Sequence, residues 1–223
     1  MKRSLSIIFF VLLLDQVLKV WIKTHMYLGQ EFHILGNWFI IHFTENYGMA
    51  FGLEFGGAFG KLVLSLFRIV LVSGIGWYLY QLIKNKAHAG AIISFSLIFA
   101  GAIGNIIDSA FYGLIFTDSE QGLAQLFPHE GGYATFLQGR VVDMLYFPLI
   151  DGHFPQWLPI WGGEHFLFFR PVFNIADSSI SVGVALLLLF QKKFYPQPVA
   201  EESIKEITDI PTDTKQPTAT TES

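Results

Sequence analysis

The chain has no cysteine. That excludes a disulfide scaffold, a thiolate metal site, a catalytic cysteine and a lipid anchor on a thiol of the chain itself. Charge is also scarce. Only 14% of the 223 residues are Asp, Glu, Lys or Arg, against about 25% in an ordinary soluble domain. With 52% hydrophobic residues, the chain is too apolar for that class and too apolar to be disordered over most of its length. Basic charge is in deficit, with a net charge of −4, so no positive field awaits a nucleic acid. There is no Gly-x-Ser-x-Gly turn, no His-Glu-x-x-His helix and no Gly-rich phosphate loop. The seven histidines are scattered, so neither a metal nor a cofactor is expected. Aromatic residues are abundant: 23 Phe, 8 Tyr and 5 Trp suit a membrane interface.

The apolar residues come in four blocks, about 4–22, 59–83, 89–111 and 172–190. A bilayer core of about 30 Å needs roughly 20 such residues in a helix. The first block is not expected to be a cleaved signal peptide, because Asp15-Gln16 and Lys19 follow its apolar run where a small-residue site should stand. Lys2, Arg3, Lys84, Lys86, Lys192 and Lys193 flank one set of block ends, whereas segment 25–58 has no Lys or Arg and segment 112–171 has only Arg140 and Arg170. The positive-inside rule then puts both termini in the cytoplasm and both longer segments outside. The expected fold is an all-α membrane protein of four transmembrane helices, residues 1–194, with a small extracytoplasmic β-hairpin and an inserted extracytoplasmic excursion. Trp38 to Thr44 reads as a strand, Asn46-Tyr47-Gly48 as a turn and Met49 to Phe51 as a return strand; His165 to Phe169 reads as another strand. Residues 195–223, rich in Glu, Thr, Pro and Lys, read as a disordered cytoplasmic tail.

Polar residues inside such spans cost roughly 2.5–3.5 kcal/mol each when charged, so each needs a reason. Asp15 and Lys19 stand one helical turn apart and can neutralise each other or serve a site. Arg68 has Asp15 and Asp108 as candidate partners, or it snorkels. Asn105 and Asp108 share a face near a helix C-terminus, where the dipole disfavours an anion. Asn174 and Asp177 have the spacing of a capping box. Asp143 lies in the apolar run Val141 to Phe147, where an acid is often desolvated, or it pairs with Arg140. Asp143 and Asp177 would meet at one membrane surface among Asn46, Asn105 and Asn174. Two carboxylates sharing a proton can hydrolyse an amide: the ionised one activates water and the protonated one polarises the carbonyl. The rival is a non-enzymatic polytopic membrane protein, a small transporter or lipid-binding scaffold, whose acids form bridges or a proton relay. A relay would spread acids through the membrane, and here they gather at one surface.

Five segments occur in order: Asp15-Gln16; Glu45-Asn46-Tyr47-Gly48-Met49-Ala50-Phe51; Gly101-Ala102-Ile103-Gly104-Asn105-Ile106-Ile107-Asp108; Val141-Val142-Asp143; and Phe173-Asn174-Ile175-Ala176-Asp177-Ser178. On these the chain, over residues 1–193, resembles the lipoprotein signal peptidases of bacteria, the signal peptidase II family of membrane aspartic proteases. The resemblance implies a catalytic dyad of Asp143 and Asp177, with Asp15, Asn46, Asn105, Asp108 and Asn174 orienting the dyad or the substrate. It implies a bacterial inner-membrane enzyme; membrane lipid is the expected partner and a monomer the expected state, which the sequence itself does not fix. Its substrate would be a diacylglyceryl-modified prolipoprotein, cut before the lipidated cysteine, and a β-cradle would lie on the outer surface near residues 38–51. The chain departs from the family pattern twice. Ser109 follows Asp108 where Arg is usual, so a cation near the dyad is missing or supplied elsewhere, with Arg140 as one candidate. Residues 113–138 and 148–168 look like insertions.

Overall fold

The computed structural model describes residues 1–46, 57–148, 150–153, 155–157, 159–160, 162–168 and 171–195. The return strand expected at 49–51, Arg170 and the tail beyond Tyr195 lie outside the described residues.

Helix α1, Lys2–His25, contains neither Pro nor Gly. An apolar run of this kind must satisfy its backbone internally, which in lipid means a helix. Its burial is inverted relative to a soluble protein. Phe9, Phe10, Leu13, Leu14 and Val17 face outward, whereas Asp15, Lys19 and Lys23 have no exposed surface. Helix α2, Gly57–Lys84, and helix α3, Ala89–Ile107, follow the same pattern of apolar exterior. All three are long and apolar enough to cross a membrane. Helix α4, Ile175–Leu189, has 15 residues and is shorter than the block at 172–190 suggests. The physical reason lies at its start: Val172–Phe173 is a strand, β6, and Asn174 ends it by capping the helix.

Small residues bring α3 and α4 together. A Cβ at Gly101 would stand 2.2 Å from the carbonyl oxygen of Ala176, and one at Gly183 would stand 2.7 Å from that of Ser94. The backbones therefore touch, as in small-residue seams of membrane helices. The Ser179 hydroxyl donates across the seam to the Leu97 carbonyl at 2.8 Å. Beyond Ile107, α3 widens into a π-helical turn, Asp108–Tyr112.

A four-stranded antiparallel sheet stands at the end of the helices, in the order β1 (Glu31–Leu35), β2 (Phe39–Asn46), β3 (Val141–Tyr146), β6. The strand expected at 38–44 is observed within β2, and its described hairpin partner is the preceding strand β1. The left-handed glycine Gly36, at φ +56°, serves the turn between β1 and β2. Thr44 opposes Asp143, and Leu145 opposes Phe173. The strand expected at 165–169 is observed as β5, His165–Phe168, paired with β4, Ile150–His153. Ile22, Met26, Phe43, Tyr112, Phe116 and Val142 form a core between the end of α1, the sheet and the start of segment 113–138.

Candidate active site

Three backbones converge where α3 ends, β3 runs and α4 begins. Asp143 sits on β3 and is 3% exposed. The amide nitrogen of Asn46, from β2, donates to its Oδ2 at 2.5 Å, and that of Asn174 donates to its Oδ1 at 2.8 Å. Burial, followed by the negative charge of Asp177, pushes the Asp143 carboxyl up to about 7 against the lowering influence of Lys19, Asn46 and Asn174.

Asp177 occupies the first turn of α4. Its Oδ2 accepts from the Asn174 backbone N–H at 3.3 Å, while the Asn174 side chain accepts from the Asp177 N–H at 2.9 Å. The capping-box spacing is thus realised. It does not exclude a part in a site, because the other oxygen, Oδ1, accepts from Asn105 Nδ2 at 2.7 Å. Asn174 is completely buried and joins the two acids. Besides Asp143, its amide nitrogen reaches Asn105 Oδ1 at 3.1 Å and the Val142 carbonyl at 3.2 Å.

Below this layer lies a second. Lys19 Nζ is 2.8 Å from Asp15 Oδ2, 2.8 Å from Asp108 Oδ2 and 3.1 Å from Asn105 Oδ1. Asp15 Oδ1 accepts from the Ala176 N–H at 2.9 Å, which ties α1 to the start of α4. Asp108 accepts from Gln16 Nε2 at 2.9 Å and from the Val142 N–H at 3.3 Å. Asp15, Asn46, Asn105, Asp108, Asn174, Asp143 and Asp177 therefore belong to one continuous hydrogen-bonded assembly.

Two charged residues differ from expectation. Arg140 does not face the pair. Its Nη1 is 2.8 Å from Asp118, 3.3 Å from Glu45 and 3.4 Å from Glu120, so three acids on another side hold it. Arg68 pairs with neither Asp15 nor Asp108, which Lys19 occupies; the carboxylate whose charge acts on it is Asp177. Ser109 is buried and donates to the Asn105 carbonyl at 3.1 Å. Among the described residues, Lys19 acts on Asp143, and Arg68 feels the charge of Asp177. Lys19 as a hub was missed by sequence reasoning. Its signal was present, a lysine inside an apolar helix one turn from Asp15, but neutralisation of Asp15 alone accounted for it. No group of three or more His, Cys, Asp or Glu among the described residues is placed to hold a metal ion.

The family described as signal peptidase (SPase) II matches residues 7–192. The chain belongs to the signal peptidase II family. A lipoprotein signal peptidase of Porphyromonas gingivalis is 55% identical over 200 residues, covering 89% of this chain and 85% of the relative. One from Amoebophilus asiaticus is 38% identical over 199 residues, covering 88% and 80%. Two solved bacterial membrane enzymes share the fold. One has a TM-score of 0.54 at 25% identity, covering 89% of this chain and 95% of its own; the other has 0.57 at 26%, covering 87% and 96%. The chain is thus a multi-pass bacterial membrane protein with a signal peptidase II function, and the transporter or scaffold reading is not favoured.

Proposed function

We propose that this signal peptidase II is an aspartic endopeptidase, and that Asp143 and Asp177 are its catalytic dyad. The observation that carries the reading is Asn174, which bonds to both carboxylates at once, through its side chain to Asp143 and its backbone to Asp177. Asp177 is the ionised member, since its two oxygens receive N–H donors at a helix N-terminus, where negative charge is favoured. Asp143, with its raised affinity for protons, is the protonated member. Asp177 takes a proton from water as the water oxygen bonds to the scissile carbonyl carbon. Asp143 donates a hydrogen bond to the carbonyl oxygen. The tetrahedral intermediate then loses its C–N bond as a proton passes to the leaving nitrogen.

The substrate is a prolipoprotein whose cysteine carries a diacylglyceryl group, cleaved just before that cysteine. The signal-peptide helix fixes one side of the bond and the acyl chains fix the other, at about 0.8 kcal/mol per buried CH₂. Four spans with both termini cytoplasmic place the dyad at the extracytoplasmic surface; the distribution of Lys and Arg supports this topology. Initial rates on lipidated and non-lipidated precursor, in the same micelles, test the substrate assignment. A far higher rate is expected with the lipid, and equal rates would remove it. A reporter fused after Lys193 is expected in the cytoplasm and one near Gly131 outside.

A further inference from the structure

Glu45 lies next to Asn46 on β2, and its carboxylate is 2% exposed. Three groups from three places hold it. The Lys23 ammonium comes from the end of α1. The Ser119 hydroxyl, at 2.9 Å, comes from the first inserted segment. Arg140 Nη1, at 3.3 Å, comes from the residue just before β3. Lys23 and Ser119 also bond to each other, at 2.6 Å. The inserted segment closes the cluster from its far side. Asp118 receives Arg140 at 2.8 Å, the Tyr133 hydroxyl accepts the Arg140 backbone N–H at 2.6 Å, and the Tyr133 ring lies 5.1 Å from the Lys23 ammonium. Burial raises the Asp118 carboxyl, but the Glu120 N–H and Arg140 outweigh it and hold the group below its ordinary value.

Adjacent residues of a strand point to opposite faces. Glu45 therefore reaches toward this cluster while Asn46 reaches Asp143, two residues along β3 from its own register partner Val141. β2 slips in register between Ile41 and Thr44, so the ladder alone does not fix its far end. Lys23 stands one helical turn beyond Lys19, which holds the Asn105 that donates to Asp177. One helix thus grips both sides of the pair: through Lys19 on the Asp177 side and through Lys23 on the Asp143 side.

We propose that Glu45 is a positioning residue, pinned by Lys23, Arg140 and the inserted segment's Ser119 so that Asn46 holds the Asp143 carboxyl at the height set by α1. The inserted segment is therefore part of the catalytic frame. This rests on the reading of Asp143 as a reacting group. It acts through geometry, and small misplacements of a reacting group cost up to about 10²-fold in rate.

The test is a double-mutant cycle on full-length protein in detergent with lipidated precursor, using E45A, N46A and the pair. E45A is expected to lower kcat by about 10- to 100-fold, to leave KM unchanged and to move the alkaline limb of the pH profile. Added to N46A, it should cost nothing more, because the bond it positions is already gone. Effects that multiply independently, a change in KM alone, or wild-type kcat in E45A would each overturn the proposal. If E45A fails to fold, E45Q keeps the shape and one acceptor oxygen, and the same cycle is read with it. D143N in the same assay separates the two hypotheses. Retained activity there refutes the dyad itself, whereas an inactive D143N beside an independent E45A refutes only the positioning role.

Discussion

Asp143 and Asp177 are held by different kinds of backbone. Asp143 stands on a strand, and the side-chain amides of Asn46 and Asn174 reach its carboxyl. Asp177 stands in the first turn of a helix, where free N–H groups and the dipole favour an anion. Two identical side chains thus meet different surroundings through secondary structure and burial. A division between acid and base can be built from where the chain turns, provided that one group joins the two positions. Asn174 is that group.

The severest break of this contrast removes one carboxylate. D143N and D177N are each expected to lower kcat by roughly 10³-fold or more while leaving the helical circular dichroism intact, since an amide keeps the carboxylate's shape and one of its two acceptor oxygens. Turnover close to wild type in either variant would refute the dyad. Next comes the layer beneath. Lys19→Met leaves Asp15 and Asp108 buried without their cation, and removing one partner of such a pair costs about 3–5 kcal/mol. Thermal melts in detergent should show that loss, and Asp108→Asn added to Lys19→Met should restore part of it.

The contrast is sharpened by pH. Asp143 is raised to about 7 in the folded protein from an ordinary value of 3.8. The native state therefore holds more protons than the unfolded state between those values. Its contribution to stability is complete below the ordinary value and is lost as pH rises through about 7. Cleavage should fall along the same limb, by up to about tenfold per pH unit, as the shared proton leaves. D143N should flatten the stability slope. A rate that kept rising well above neutrality would contradict a protonated Asp143.

A smaller effect is expected at the seam that brings Asp177 up to Asn105. G101A puts a methyl against the Ala176 carbonyl, and overpacking of that kind costs about 1–3 kcal/mol. Melting temperature and kcat should both decline, with KM unchanged. The smallest effect belongs to the tail. Truncation after Tyr195 should leave cleavage in detergent unaltered, and a large loss would give the tail a role.

Hydrophobic run length and the placement of Lys and Arg are local properties, so the sequence alone determined three long apolar helices, the start of a fourth and the list of polar residues worth questioning. Motif spacing also made Asn174 and Asp177 legible as a cap. Partnership was not legible. Arg140 looked close to Asp143 because only two residues separate them, yet alternation along a strand and three acids from distant segments drew it elsewhere. Lys19 looked like a partner for Asp15 because one turn separates them, yet the packing of α3 gave it Asp108 and Asn105 as well. Glu45 opens one of the matching segments, but its partners left no signal, since its three holders come from residues 23, 119 and 140. An ion's partner depends on which surfaces pack together, and that is decided by tertiary structure: a buried charge must find counter-charge wherever the fold brings it, not where the chain is near.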